Sequence, residues 1–79
     1  MNPPTYSNQA ARVLADLDKQ TKQRIRNGIY KIPSGDIKLM KGFSDGRKRL
    51  RIGKYRIVFL LSGNDLHIME IGSRGDIYK

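Results

Sequence analysis

Residues 47–61 read Arg-Lys-Arg-Leu-Arg-Ile-Gly-Lys-Tyr-Arg-Ile-Val-Phe-Leu-Leu. Arg47, Arg49 and Arg51 alternate with Lys48, Leu50 and Ile52, so a strand through them carries guanidinium groups on one side and mostly aliphatic groups on the other. Gly53 and Lys54 then supply a two-residue turn. Residues 55–61 are rich in aromatic and β-branched types and predict a second strand, with Tyr55, Ile57, Phe59 and Leu61 on one side and Arg56, Val58 and Leu60 on the other. A basic, two-faced hairpin thus forms the centre of the chain.

Working outward from it, Ser62, Gly63, Asn64 and Asp65 predict the next turn, and residues 66–71 a third strand ended by Gly72. Upstream the period changes from 2 to 3.6. Ala10, Val13, Leu14 and Leu17 stand at i, i+3, i+4 and i+7 behind a cap at Ser7 or Asn8, which predicts a helix from about Asn8 to Asp18. A tight joint at residues 19–21 follows. Ile25, Ile29 and Ile32 then repeat at helical spacing, with Lys22, Arg24 and Arg26 on the outer side, and predict a second helix to about Tyr30. Pro33, Ser34, Gly35 and Asp36 break the pattern, and Pro3 and Pro4 restrict the first residues to an extended lead-in or at most a short edge strand. The expected fold is α+β: an N-terminal two-helix hairpin packed on one face of a small twisted antiparallel β-sheet of three to four strands, in one domain over residues 1–79.

The composition narrows the chemistry. With 79 residues, 38% of them hydrophobic, the chain can bury one core but not an enclosed cofactor pocket, so no small-molecule cofactor is expected. The lack of Cys removes disulfide scaffolds, thiolate nucleophiles and cysteine zinc sites. One His and no acidic cluster argue against a metal site, and His67, alternating with Leu66 and Ile68, reads as a structural or surface residue rather than a general base. No basic-then-apolar leader opens the sequence and no apolar run reaches the ~18 residues of a membrane span, so a cytoplasmic location away from membranes is expected. In that setting the Arg74-Gly75-Asp76 tripeptide is a coincidence rather than an adhesion motif.

The formal charge is +9, and its distribution matters more than its size. Lys38, Lys41, Arg47, Lys48, Arg49, Arg51, Lys54 and Arg56 face the single acid Asp45 within residues 38–56. Arg47 and Arg49 lie on one side of their strand, and Arg56 sits just beyond the turn, near enough to converge with them. Like charges gathered in this way destabilise the free protein, and a polyanion would relieve them. Arginine suits phosphate in particular, because its planar fork donates two hydrogen bonds at once. The simpler alternative is a solvated strand whose charges block edge pairing.

At Gly53-Lys54-Tyr55-Arg56-Ile57-Val58-Phe59 the chain resembles the RelE/ParE superfamily of bacterial toxin–antitoxin toxins, and more closely its RelE-like branch. The shared pattern is the basic strand at Arg47-Lys48-Arg49-Leu50-Arg51, the Tyr55-Arg56 pair opening an apolar strand, and Gly72-Ser73-Arg74 followed by Tyr78. The Leu17-Asp18-Lys19 helix end and the stretch from Leu39 to Gly42 fit as well, so the resemblance covers nearly the whole chain.

The resemblance implies an endoribonuclease that enters the ribosomal A site and cuts bound mRNA, and a cognate antitoxin as partner. Cleavage would proceed by attack of the 2′-hydroxyl on the adjacent phosphate, without metal. Carried over by motif, Arg56 stabilises the phosphorane, Arg74 assists the leaving 5′-oxygen and Tyr78 is the general base. Arg47 and Arg49, with Lys48, Arg51 and Lys54 around them, grip the RNA. A tyrosine near pKa 10 is a poor base at neutral pH. One cation about 6 Å away at an effective dielectric of about 20 contributes roughly 2.8 kcal/mol, or about two pKa units, towards phenolate. Two other readings stand beside this one: a ParE-like inhibitor of DNA gyrase, and a basic RNA-binding domain without activity.

Overall fold

The strands of this chain leave some of their backbone to be completed by side chains, and the fold is built around those joints. A computed structural model of the chain describes residues 2–73. The elements run β1 (Thr5–Tyr6), α1 (Asn8–Asp16), α2 (Lys19–Tyr30), β2 (Asp36–Leu39), β3 (Lys48–Ile52), β4 (Tyr55–Ser62) and β5 (Asp65–Ser73). They form one five-stranded sheet in the order β1-β5-β4-β3-β2, with the helices on one face.

Both predicted hairpins are present. Ile52 pairs with Tyr55 around Gly53 and Lys54, and Ser62 pairs with Asp65 around Gly63 and Asn64. Gly53 at φ +57° and Gly63 at φ +60° occupy the first turn position, where a positive φ matches the twist of the flanking strands and only glycine adopts it without strain. Two features differ from the expectation of three to four antiparallel strands. Residues 36–39, of which only Asp36 belongs to the expected break and for which no strand is expected, form β2, antiparallel to β3. The two-residue β1 pairs parallel to β5, so the sheet is mixed.

The helices start where side chains satisfy their free N–H groups. Ser7 Oγ accepts from the Ala10 N–H at 3.1 Å, and Asp18 Oδ2 accepts from the Thr21 N–H at 3.0 Å. The joint expected at residues 19–21 is therefore the first turn of α2, and α1 ends at Asp16 rather than Asp18. Past β1 the free edge of β5 is completed by polar groups. Ser7 N–H donates to Ile68 O at 2.9 Å, and the Gln9 amide both donates to Ile71 O at 2.9 Å and accepts from Ile71 N–H at 3.0 Å. Gln9 thereby acts as one further strand residue and pins α1 to the sheet.

Ala10, Leu14, Ile25, Ile29 and Ile32 meet Leu50, Ile57, Phe59, Leu66, Ile68 and Ile71 in one core between the helices and the sheet. Ile68 and Ile71 are three apart, and strict alternation would turn them to opposite faces. A bulge resolves this: Val58 pairs with Glu70 and Phe59 with Ile68, leaving Met69 as the extra residue. The same bulge sends Glu70 and Gly72 to the face away from the helices. At Gly28 the helix lies so close to β3 that a Cβ would collide with Ile52 Cδ1.

Candidate functional site

Register fixes what the helix-free face of the sheet carries. One row across it runs Asp36, Arg51, Arg56 and Gly72, and the next runs Lys38, Arg49, Val58 and Glu70. Arg47 has the same parity as Arg49 and Arg51, and its carbonyl holds β2 by accepting from Met40 N–H at 3.1 Å. Four of the sequence-predicted residues, Arg47, Arg49, Arg51 and Arg56, therefore share one face. Lys38, which the sequence reading left within the general charge run, joins them as the register partner of Arg49.

The other predicted residues fall elsewhere. Lys48 has the parity of Leu50 and Ile52 and stands opposite Phe59, on the helix side. Lys54 occupies the hairpin tip with its Nζ 5.5 Å from the Tyr55 ring centroid. It lines a cleft of about 390 Å³ with Asp18, Thr21, Arg24 and Ile25, also on the helix side. Arg74 and Tyr78 lie outside the described residues. His67 is exposed, with its Nδ1 2.8 Å from Thr5 Oγ1. Among the described residues no three His, Asp or Glu side chains gather in a metal-binding group, and no helix is long and apolar enough to cross a membrane.

The arginine face is not uniform. Arg51 and Arg56 stand directly opposite each other in the ladder, with Asp36 opposite Arg51 on its other side. Val58 is buried to 2% exposure on this face, outside the core cluster, so the charged side chains flank an apolar floor. Arg49, half-buried beside Val58, has its Nη1 shielded from solvent with no acceptor among the described residues. A desolvated cationic N–H without a partner is costly, and an anionic oxygen supplies the missing bond.

Arg47 is different. Its Nε lies 3.1 Å from both Asp45 carboxylate oxygens, its Nη2 2.6 Å from Oδ2, and its backbone N–H 3.2 Å from Oδ1. The guanidinium also lies over the Phe43 ring, 4.1 Å from the centroid. The bond from Arg47 holds the Asp45 carboxyl below the usual Asp value. Reciprocally, Asp45 raises the Arg47 guanidinium, with Glu70 adding a smaller push and partial burial opposing it. Sequence reading counted Asp45 only as a lone acid and passed over Phe43. The available signal was the Asp-x-Arg spacing at a strand start, where a short carboxylate bonds the backbone two residues on.

No protein-family model matches the sequence, and no curated protein matches it. Solved structures do match. The chain aligns with the toxin–antitoxin complex RelB–RelE of Methanococcus jannaschii at a TM-score of 0.75 and 22% identity, covering 94% of each chain. It aligns with the RelE–RelB complex of Pyrococcus horikoshii at 0.71 and 22%, covering 92% of this chain and 94% of that one. The isolated RelE toxin of E. coli gives 0.72 and 14%, covering 95% and 88%. The resemblance read from the basic hairpin is thus matched in three dimensions: the chain has the RelE fold.

Proposed function

We propose that the protein is the toxin of a toxin–antitoxin pair and a metal-independent endoribonuclease that cuts mRNA on the ribosome in the cytoplasm. The observation that carries this reading is the helix-free face of a RelE fold, on which Arg49, Arg51 and Arg56 gather in two adjacent rows with Lys38, Asp36 and Glu70. In the reaction the RNA 2′-oxygen bonds to the adjacent phosphorus and loses its proton to a base. The bond from phosphorus to the 5′-oxygen breaks, that oxygen takes up a proton, and a 2′,3′-cyclic phosphate remains.

Arg49 and Arg51 hold the backbone, and Arg56 stabilises the additional charge of the phosphorane, the step at which fixed cations contribute most. The resemblance gives the base to Tyr78 and the leaving group to Arg74. An acidic or amphipathic antitoxin segment covers the arginine face in the resting complex, since charge complementarity favours that surface.

The test is cleavage of mRNA on programmed ribosomes, with the product ends mapped. Wild-type protein leaves 2′,3′-cyclic ends at a defined position, and Arg56→Ala slows cleavage about 10²–10³-fold, the usual effect of removing one transition-state donor, while its circular dichroism is unchanged. Growth arrest with DNA damage and intact messages overturns the nuclease in favour of gyrase inhibition.

A further inference from the structure

Phe43, Asp45 and Arg47 form a small structure of their own at the margin of the arginine face. Phe43 is 45% exposed although the Arg47 guanidinium lies over its ring. Its remaining exposure therefore belongs to the other ring face and the edges. Asp45 bonds both the backbone and the side chain of Arg47, which fixes the guanidinium plane and neutralises its charge. Arg47 in consequence offers phosphate far less than Arg49 or Arg51: its Nε–Nη2 edge is occupied, and a carboxylate stands where a phosphate oxygen would.

An exposed aromatic backed by a neutralised, stacked guanidinium suits a flat, uncharged ring. Single-stranded RNA offers such rings, and proteins hold its unstacked bases on aromatic side chains and Arg planes. Position supports the same occupant. Arg47 and Arg51 are four strand residues apart, about 13 Å at strand rise. A nucleotide whose phosphate lies at Arg49 or Arg51 therefore has the Phe43 platform within reach of a neighbouring base.

We infer that Phe43, held by the Arg47–Asp45 pair, is a stacking platform for one nucleobase of a single-stranded RNA bound on the arginine face. The inference rests on the proposed RNA-cleaving function. It places Asp45 as a positioning residue, and it divides the surface into a phosphate track at Arg49, Arg51 and Arg56 and a base site at Phe43.

The experiment measures binding of the full-length protein to an RNA octamer and to an abasic ribose-phosphate oligomer of equal length. Phe43→Ala weakens the octamer about tenfold, within the range for loss of one base stack, and leaves the abasic oligomer unchanged. Phe43→Trp restores octamer affinity, whereas Arg49→Ala weakens both ligands. Asp45→Ala releases Arg47 to phosphate and steepens the salt dependence of abasic binding by about 0.7 in log–log slope. Equal effects of Phe43→Ala on both ligands, or none on either, overturn the platform while leaving the RNA-cleaving reading intact. Failure of wild-type protein to bind either oligomer also overturns the platform, whereas the RNA-cleaving reading is overturned only by intact messages on programmed ribosomes.

Discussion

Arg51 stands in the ladder between Arg56 on β4 and Asp36 on β2, so a like charge and an opposite charge flank it. Thr at position 51 removes one charge and keeps strand propensity. Arg51→Thr therefore changes stability by less than about 1 kcal/mol in urea unfolding, relief at Arg56 opposing the loss at Asp36, and weakens binding to single-stranded RNA in the same protein. A stability loss well above that, or unchanged RNA binding, would mean that Arg51 serves the fold rather than the RNA surface.

Acid titration probes two other single residues. The Asp18 carboxyl lies below its ordinary value mainly through its bonds to Thr21, and the Asp45 carboxyl through its bond to Arg47. Folding lowers both, so their contribution is complete above the unfolded value near 3.9 and fades as the pH falls through the lower folded values. Asp18→Asn keeps a capping oxygen without the charge, and its unfolding free energy should depend less on pH below about 4 than that of wild type.

Among the elements, α1 depends on polar groups at its start. Ser7→Ala removes the cap on Ala10 and a bond to Met69 O, and should cost about 1–2 kcal/mol. Gln9→Leu leaves the Ile71 N–H and C=O without their side-chain partners and should loosen the α1–β5 joint, seen as faster amide exchange at Ile71 than at Ile57. The elements differ in how far the sequence discloses them. Both hairpins were legible because a turn glycine interrupts a period-2 pattern, and the helices because isoleucine and leucine recur at 3.6. β2 was not, since four residues behind Pro33 and Gly35 with only Ile37 against the core carry no repeat. Nor was the Met69 bulge, which adds one residue without any marker glycine. The arginine parity was legible in Arg47, Arg49 and Arg51. Charge counting, however, placed Lys48 and Lys54 beside them, although strand parity and the hairpin tip put both on the helix side.

For the whole molecule, an excess of nine positive charges on 79 residues attracts any polyanion, so net charge cannot distinguish a specific face from general attraction. The sheet does distinguish them, because it sorts its own cations: Lys38, Arg49, Arg51 and Arg56 lie on the helix-free face, Lys48 and Lys54 on the other. A protein that uses one face as a phosphate track responds to RNA on that face alone. The direct measurement is NMR titration of the isotope-labelled protein with a short single-stranded RNA, following the arginine Nε–H resonances and the amides of β3 and β4. Shifts concentrated at Arg49, Arg51 and Arg56, with Lys48, Lys54 and the Asp18–Arg24 cleft unaffected, are the predicted result. Shifts centred on that cleft and on Lys54, with the arginine resonances unmoved, would contradict the account.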